Sequence, residues 1–296
     1  MSFKFSRAYA VICCYRRVAL AVCVCLTTLS FAIGPPVYGC SDSNGGLSAT
    51  PNAGWTACDT RPRSLRVLFV GNSYTYFNNL PALLSGLAAS DASSTKIEAE
   101  MVVRGGASLK QHWEDGAATK KIKEAHWNFV VLQEQSTLPI TDPETMKKYA
   151  RLFDSEIRKA GARTVFFLTW ARQNKPETQS ALNNTYLAIA RDLGAMVAPA
   201  GIAWQDALKE NSKLLLYMLD QSHPNASGSY LAACVLYSVI VGKKPENLAA
   251  TIRGRSVSLT GAIGSETVDL IDIDAAEASF LQRVAWNTVE DLNEHK

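Results

Sequence analysis

Five short apolar runs recur between longer helix-patterned stretches: Leu65 to Val70, Lys96 to Val103, Asn128 to Leu132, Thr164 to Leu168 and Met196 to Pro199. Each has strand length, and several are apolar on consecutive residues, as strands covered on both faces are. Helical patterns fill the intervals, notably Pro143 to Ala160, Thr178 to Leu193 and Ala226 to Val241, with a last one from Ala275 to Leu292. Parallel strands need long crossovers that are usually helical. The alternation therefore predicts an α/β fold, a mostly parallel sheet with helices on both faces. The stretch Pro245 to Val268 lacks a clear period and is expected to be a small hairpin or loop excursion.

In open α/β sheets, functional groups collect at the carboxyl ends of the strands. After the first run come Gly71, Asn72 and Ser73; after the second, Arg104, Gly105, Gly106, Ala107 and Ser108; after the third, Gln133, Glu134, Gln135 and Ser136. The loop before the Ala226 to Val241 stretch carries Asp220 and His223. A serine hydroxyl becomes nucleophilic when a base takes its proton and a third group holds that base. Ser73, His223 and Asp220 supply those parts from loop-like settings. Residues three apart in a tight turn can point the same way, so Asp220 can hold one imidazole nitrogen while the other faces serine. Ser73 is expected where a strand ends and a helix begins, with its own N–H and a positive helix end facing a substrate oxygen.

Other readings of these loops are weaker. The chain order Ser, Asp, His also fits α/β-hydrolases, yet Tyr74 and Thr75 follow Ser73 and the G-x-S-x-G elbow is absent. Gly71 stands alone, without a G-x-G-x-x-G or a following GK[ST], so a phosphate cradle is not indicated. His112 and His126 sit beside Trp113 and Trp127 in helical stretches, where structural or surface roles outweigh metal binding. Arg104 and Glu134 fit either a substrate contact or an ion pair, and Trp170 either a pocket wall or the core.

The phrases FVGNSYT and VVLQEQS, and the run from Asp220 through His223-Pro224-Asn225 to Gly228, resemble the SGNH (GDSL-like) hydrolase superfamily, in a branch of bacterial secreted proteins. The resemblance spans about residues 65 to 242. It implies a three-layer, flavodoxin-like fold and esterase chemistry with no cofactor and no metal. It makes Ser73 the nucleophile, His223 the general base and Asp220 the group that orients the imidazole. Ser73, Gly106 and an amide side chain would form the oxyanion hole. The family's amide is usually an Asn within GxND; here the block reads Gln133-Glu134-Gln135-Ser136, so Gln135 is the nearest match and Gln133 stays open.

The formal charge of +3 comes from the leader: Lys4, Arg7, Arg16 and Arg17 fall in the first 40 residues, which hold no acid. Removing those four from 30 basic residues leaves 26 against 27 acids, a body near −1 with no electrostatic pull toward nucleic acid. Residues 1–39 read as an export segment, a basic start followed by the uncharged run Val18 to Ile33. That run spans roughly 24 Å as a helix, short of a bilayer core of roughly 30 Å. Gly39-Cys40 resembles a lipobox, so Cys40 is expected either to carry lipid and attach the protein to a membrane or to leave with a cleaved leader, with a retained, uncleaved anchor as the third alternative. Residues 40–62, rich in Ser, Gly, Thr, Asn and Pro, read as a flexible tether, and residues 63–296 as one hydrolase domain. Within the body only Cys58 and Cys234 remain, and their pairing is left open against a buried thiol at Cys234.

Together these features describe an exported serine esterase, periplasmic or at the cell surface, cleaving a short acyl group, acetyl in type, from a carbohydrate. Two alternatives stand beside it. One is a lipase or thioesterase acting on longer acyl chains; the other is a surface glycan-binding protein with a degenerate hydrolase site.

Overall fold

The computed structural model describes residues 64–92 and 95–294. The export segment, the tether, Cys40 and Cys58 lie outside the described residues. Five parallel strands form the central sheet: β1 (Ser64–Gly71), β2 (Lys96–Val103), β3 (Phe129–Leu132), β4 (Arg163–Phe167) and β5 (Met196–Ala198), in the order β2-β1-β3-β4-β5. Strand β1, which leads into Ser73, is thus internal, and its carboxyl end is flanked by those of β2 and β3.

The consecutive apolar residues follow from burial on both faces. Val67 and Phe69 of β1, Val131 of β3 and Val165 and Phe167 of β4 enter one core cluster. Their neighbours Leu68, Val70, Val130, Leu132 and Phe166 enter the other. On the first face pack α2 (Leu80–Ser90), α8 (Ala200–Glu210), α9 (Ala226–Val241) and α10 (Ala275–Glu294). The second face is covered by α3 (Leu109–Asp115), α4 (Ala117–Glu124), α6 (Pro143–Lys159) and α7 (Gln179–Leu193). Two single-turn helices, α1 (Ser73–Tyr76) and α5 (Leu138–Thr141), sit directly after β1 and in the loop after β3.

Helix α6 shows how local sequence fixes an element. Asp142 caps it by accepting from Thr145 N–H at 3.2 Å, Pro143 stands in its first turn, and Met146, Tyr149, Ala150, Phe153 and Ile157 recur on its buried face. Helix α9 is buried nearly all round, between α2, α8 and α10. Cys234 lies within it as a buried free thiol. The segment without a clear period forms an antiparallel hairpin, β6 (Thr251–Val257) and β7 (Ile263–Asp272). Its tip rests on the segment that follows β1, where Tyr76 Oη donates to the Leu259 carbonyl at 2.8 Å and Asn79 Nδ2 to that of Arg255 at 2.8 Å. Among the described residues no helix is long and apolar enough to cross a membrane.

Candidate active site

The site begins where β1 stops. A Cβ on Gly71 would fall 2.4 Å from Thr75 Oγ1 and 2.6 Å from Gln133 Oε1, so the close approach of these side chains requires glycine. Asn72 then ties three loops together. Its N–H donates to Gln133 Oε1 at 2.9 Å, its Nδ2 to the Ala107 carbonyl at 2.9 Å, and its Oδ1 accepts from Tyr74 N–H at 3.2 Å. Ser73 follows as the first residue of α1. That helix has only four residues, so Ser73 gains a backbone N–H but not the macrodipole of a long helix that the strand-to-helix reading expected.

His223 Nε2 lies 2.8 Å from Ser73 Oγ, and His223 Nδ1 lies 2.5 Å from Asp220 Oδ2. The order of protons follows from the partners. A carboxylate only accepts, so Nδ1 carries the hydrogen and Nε2 is left to accept from the serine hydroxyl. The four-residue turn is preset by Asp220 itself, whose Oδ1 accepts from Ser222 N–H at 3.0 Å and His223 N–H at 2.9 Å. Gln221 turns the chain at φ +60°. Burial works to raise the Asp220 carboxyl, but the hydrogen bonds from the His223 ring and from both backbone groups outweigh it and hold the group below its ordinary range.

The imidazole is fixed on its sides as well as its ends. Phe77 stacks on it with centroids 4.2 Å apart, and Tyr74 meets it edge-on at 5.6 Å. Tyr74 Oη is 2.7 Å from Ser222 Oγ, and Trp170 Nε1 donates to the Ser222 carbonyl at 3.0 Å. Trp170 is therefore core rather than pocket wall: it is buried, sandwiched between Tyr74 and Trp204, and holds the histidine loop from beneath. Asn78 adds a clamp from the far side. Its Nδ2 donates to Ser229 Oγ at 2.8 Å and reaches the carbonyls of Asn225 at 3.2 Å and Pro224 at 3.3 Å. Asn78 and Asn79 both have φ 51°, a left-handed pair that asparagine tolerates and that turns the chain out of α1 toward α2.

Opposite the histidine lie the two loops that follow β2 and β3. Gly106 is exposed at φ +67°, and Ser108 closes this loop by capping α3 in a capping box with Gln111. Arg104 pairs with Asp115 at 2.6 Å on the surface. In the β3 loop the two glutamines have different jobs. Gln133 is fully buried; its oxygen takes Asn72 N–H and Thr75 Oγ1–H, and its Nε2 donates to the Glu134 carbonyl at 2.5 Å. Held at both ends of its amide, Gln133 braces the serine turn from beneath. Gln135 is half-buried and turns its oxygen onto Thr137 N–H at 2.8 Å, Thr137 Oγ1 at 2.9 Å and Leu138 N–H at 3.1 Å. This orients the side chain through its acceptor end.

Glu134 is withdrawn into the core. It is 1 % exposed and makes no ion pair; Oε1 accepts from Gln135 N–H at 2.6 Å and Leu109 N–H at 3.1 Å. Burial pushes this carboxyl up to about 7 against the pull of those two N–H groups. His112 is likewise structural, buried with Nε2 2.8 Å from the Gly71 carbonyl and its pKa lowered chiefly by burial. Asn72, Tyr74, Phe77 and Asn78 were not among the residues assigned roles from sequence. The signal available for them was proximity to Ser73, which does not say which neighbours turn inward. No group of three or more His, Cys, Asp or Glu able to hold a metal occurs among the described residues.

No protein-family model matches the sequence, and no curated protein matches it. Solved structures do. An SGNH hydrolase candidate from Slackia heliotrinireducens is similar at 27% identity and TM-score 0.52, covering 60% of this chain and all (100%) of its own. A DUF4886 family protein from Bacteroides uniformis aligns at 16% identity and TM-score 0.57, over 77% of this chain and 95% of its own. An acetyl xylan esterase aligns at 16% identity and TM-score 0.50, over 60% of this chain and 100% of its own. The fold is that of the SGNH hydrolases, and the five-stranded parallel sheet between two helical layers is the architecture expected from the alternating runs.

Proposed function

We propose that this chain is an exported serine esterase that removes a short acyl group, acetyl in type, from a carbohydrate through an acyl-enzyme. The observation that carries the catalytic part is the unbroken relay from Ser73 Oγ to His223 Nε2 and from His223 Nδ1 to Asp220. In the reaction, Ser73 Oγ bonds to the ester carbonyl carbon as its proton passes to Nε2, and the carbonyl oxygen becomes an anion. Backbone N–H groups of Ser73 and Gly106, with the Gln135 side chain, are the donors assigned to that oxygen. Collapse expels the alcohol, which takes the proton from His223, and water then repeats the sequence to release the acid. The carbohydrate acetyl ester is chosen by analogy with the fold's acetyl xylan esterase neighbour and the resemblance in the motifs. The basic, then apolar leader ending at Gly39-Cys40 supports action outside the cytoplasm, with Cys40 as the lipid attachment point.

A second reading, longer or more apolar acyl groups, is favoured by where the exposed apolar side chains lie. Leu215, Met218 and Leu219 lie just before Asp220, and Leu259 and Ile263 lie on the hairpin whose tip rests on Tyr76. Exposed apolar residues gathered at two segments bordering one rim fit an apolar substrate portion.

Intact-mass labelling of residues 41–296 with a fluorophosphonate tests the shared chemistry. One adduct on wild type and none on Ser73→Ala is expected, and a folded protein that takes no adduct would favour a glycan-binding role instead. A p-nitrophenyl ester series then separates the readings. Highest kcat/KM on acetate supports the first; values that rise with chain length and fall in Leu259→Ser support the second.

A further inference from the structure

The two loops that carry Gly106 and Gln135 come from different strands, and the relation between them decides whether their donors converge on one oxygen. A single carboxyl oxygen joins them. Glu134 Oε1 accepts from Leu109 N–H at 3.1 Å, three residues beyond Gly106, and from Gln135 N–H at 2.6 Å. Its own N–H is held in turn, donating to Tyr186 Oη at 3.1 Å, with Tyr186 buried in α7. Oε2 is buried with no hydrogen-bond partner among the described residues. Retaining a buried carboxyl with one oxygen unpaired is costly, and the contacts it makes are all with backbone of the loops framing the serine. An apolar residue would fill the same volume without that cost but would orphan both N–H groups.

We propose that Glu134 is a positioning residue of the oxyanion site, one oxygen setting the separation of the glycine loop from the amide loop. This rests on the reading of Ser73 as nucleophile and of those loops as its oxyanion donors. Reach is the essential property: an acceptor must stand at that distance from both N–H groups, whether it is charged or neutral. Glutamate and glutamine share the reach, while aspartate keeps the charge and withdraws the oxygen by one methylene.

The test compares Glu134→Gln with Glu134→Asp on a fixed p-nitrophenyl ester, alongside inhibition by a trifluoromethyl ketone. That ketone reports on the oxyanion site because Ser73 Oγ bonds to its carbonyl carbon, the serine proton moves to His223, and the ketone oxygen becomes the anion. The glutamine variant is expected to keep kcat within about fivefold of wild type. The aspartate variant is expected to lose about 10- to 100-fold in kcat with KM within about threefold, and to bind the ketone more weakly by the same factor as kcat/KM falls. Should the aspartate variant fail to fold, Leu109→Pro removes one of the two donors at the first residue of α3, where proline's geometry suits a helix start, and the same coupled loss is expected. A folded aspartate variant with wild-type kcat, or a glutamine variant as impaired as the aspartate one, would overturn the positioning role while leaving the serine reading intact. Wild-type protein that neither turns over ester nor binds the ketone would overturn both.

Discussion

Phe77 lies flat on the His223 imidazole, with ring planes 13° apart and centroids 4.2 Å apart. Phe77 lies four positions after Ser73, so the serine turn and the ring that steadies the imidazole belong to one segment. An aromatic stack of this kind is worth about 0.5–1.5 kcal/mol. Phe77→Ala is therefore expected to lower kcat about 2- to 10-fold with unchanged secondary structure, and Phe77→Tyr to restore it. Steady-state kinetics of the pair check this; equal activity in all three proteins would make the stack incidental.

Asp220 accepts the Nδ1 hydrogen and two backbone N–H groups, so an amide there removes the charge and reverses one end of the hydrogen-bond logic. Asp220→Asn should reduce kcat by about 10²–10⁴ while the turn persists, because Asn Oδ1 can still take the backbone bonds. Single-turnover acylation with a chromogenic ester reads the effect directly. A loss below tenfold would remove Asp220 from the relay.

Asn78 combines a left-handed backbone with a side chain bonded to the segment after His223. Asn78→Ala loses the clamp and keeps the strain, whereas Asn78→Gly loses the clamp alone. Lost hydrogen bonds at about 1 kcal/mol each and about 1 kcal/mol or more of backbone strain predict a Tm drop of several degrees for alanine and a smaller one for glycine. Both variants should lose activity alike, since both release the histidine loop. Differential scanning calorimetry beside kinetics separates the two contributions.

Gly71 has no room for a methyl group against Thr75 Oγ1 and Gln133 Oε1. Gly71→Ala must displace Gln133, which braces the Asn72 N–H, at a cost of about 1–3 kcal/mol. The expected result is a folded but less stable protein with slower fluorophosphonate labelling. Wild-type labelling rates would show that the brace does not set the serine.

Glu134 makes stability depend on pH. Its carboxyl is raised by burial from an ordinary 4.5 to about 7, so between those values the folded state holds a proton the unfolded chain has released. The associated stability is full below about pH 4.5 and is lost as pH rises through 7, on the order of 3 kcal/mol in total. Glu134→Gln cannot titrate. Denaturant midpoints measured from pH 5 to 8.5 should show the wild-type advantage over this variant shrinking as pH rises; parallel curves would contradict the assignment.

Local pattern and tertiary placement contributed differently to this picture. Consecutive apolar residues in Leu65 to Val70 and Asn128 to Leu132 announce strands covered on both faces, because burial on two sides removes the need for alternation, and the helices between them follow from the crossover parallel strands require. The Asp220 to His223 turn is also legible, since the aspartate organises it through its own backbone neighbours. The sequence could not divide the work among Gln133, Glu134 and Gln135. Successive residues leaving a strand point different ways, and only the register of β3 beside β1 turns Gln133 under Asn72, Glu134 into the core and Gln135 outward. Nor does any local period bring the hairpin tip onto Tyr76, or the Asn78 amide onto Asn225 and Ser229. Those contacts join residues more than 140 positions apart, and they exist because the packed sheet and helices carry the segments to the same rim. The sequence by itself determined the layers and the candidate relay; which side chains brace that relay was decided by tertiary packing, where distance along the chain no longer measures distance in space.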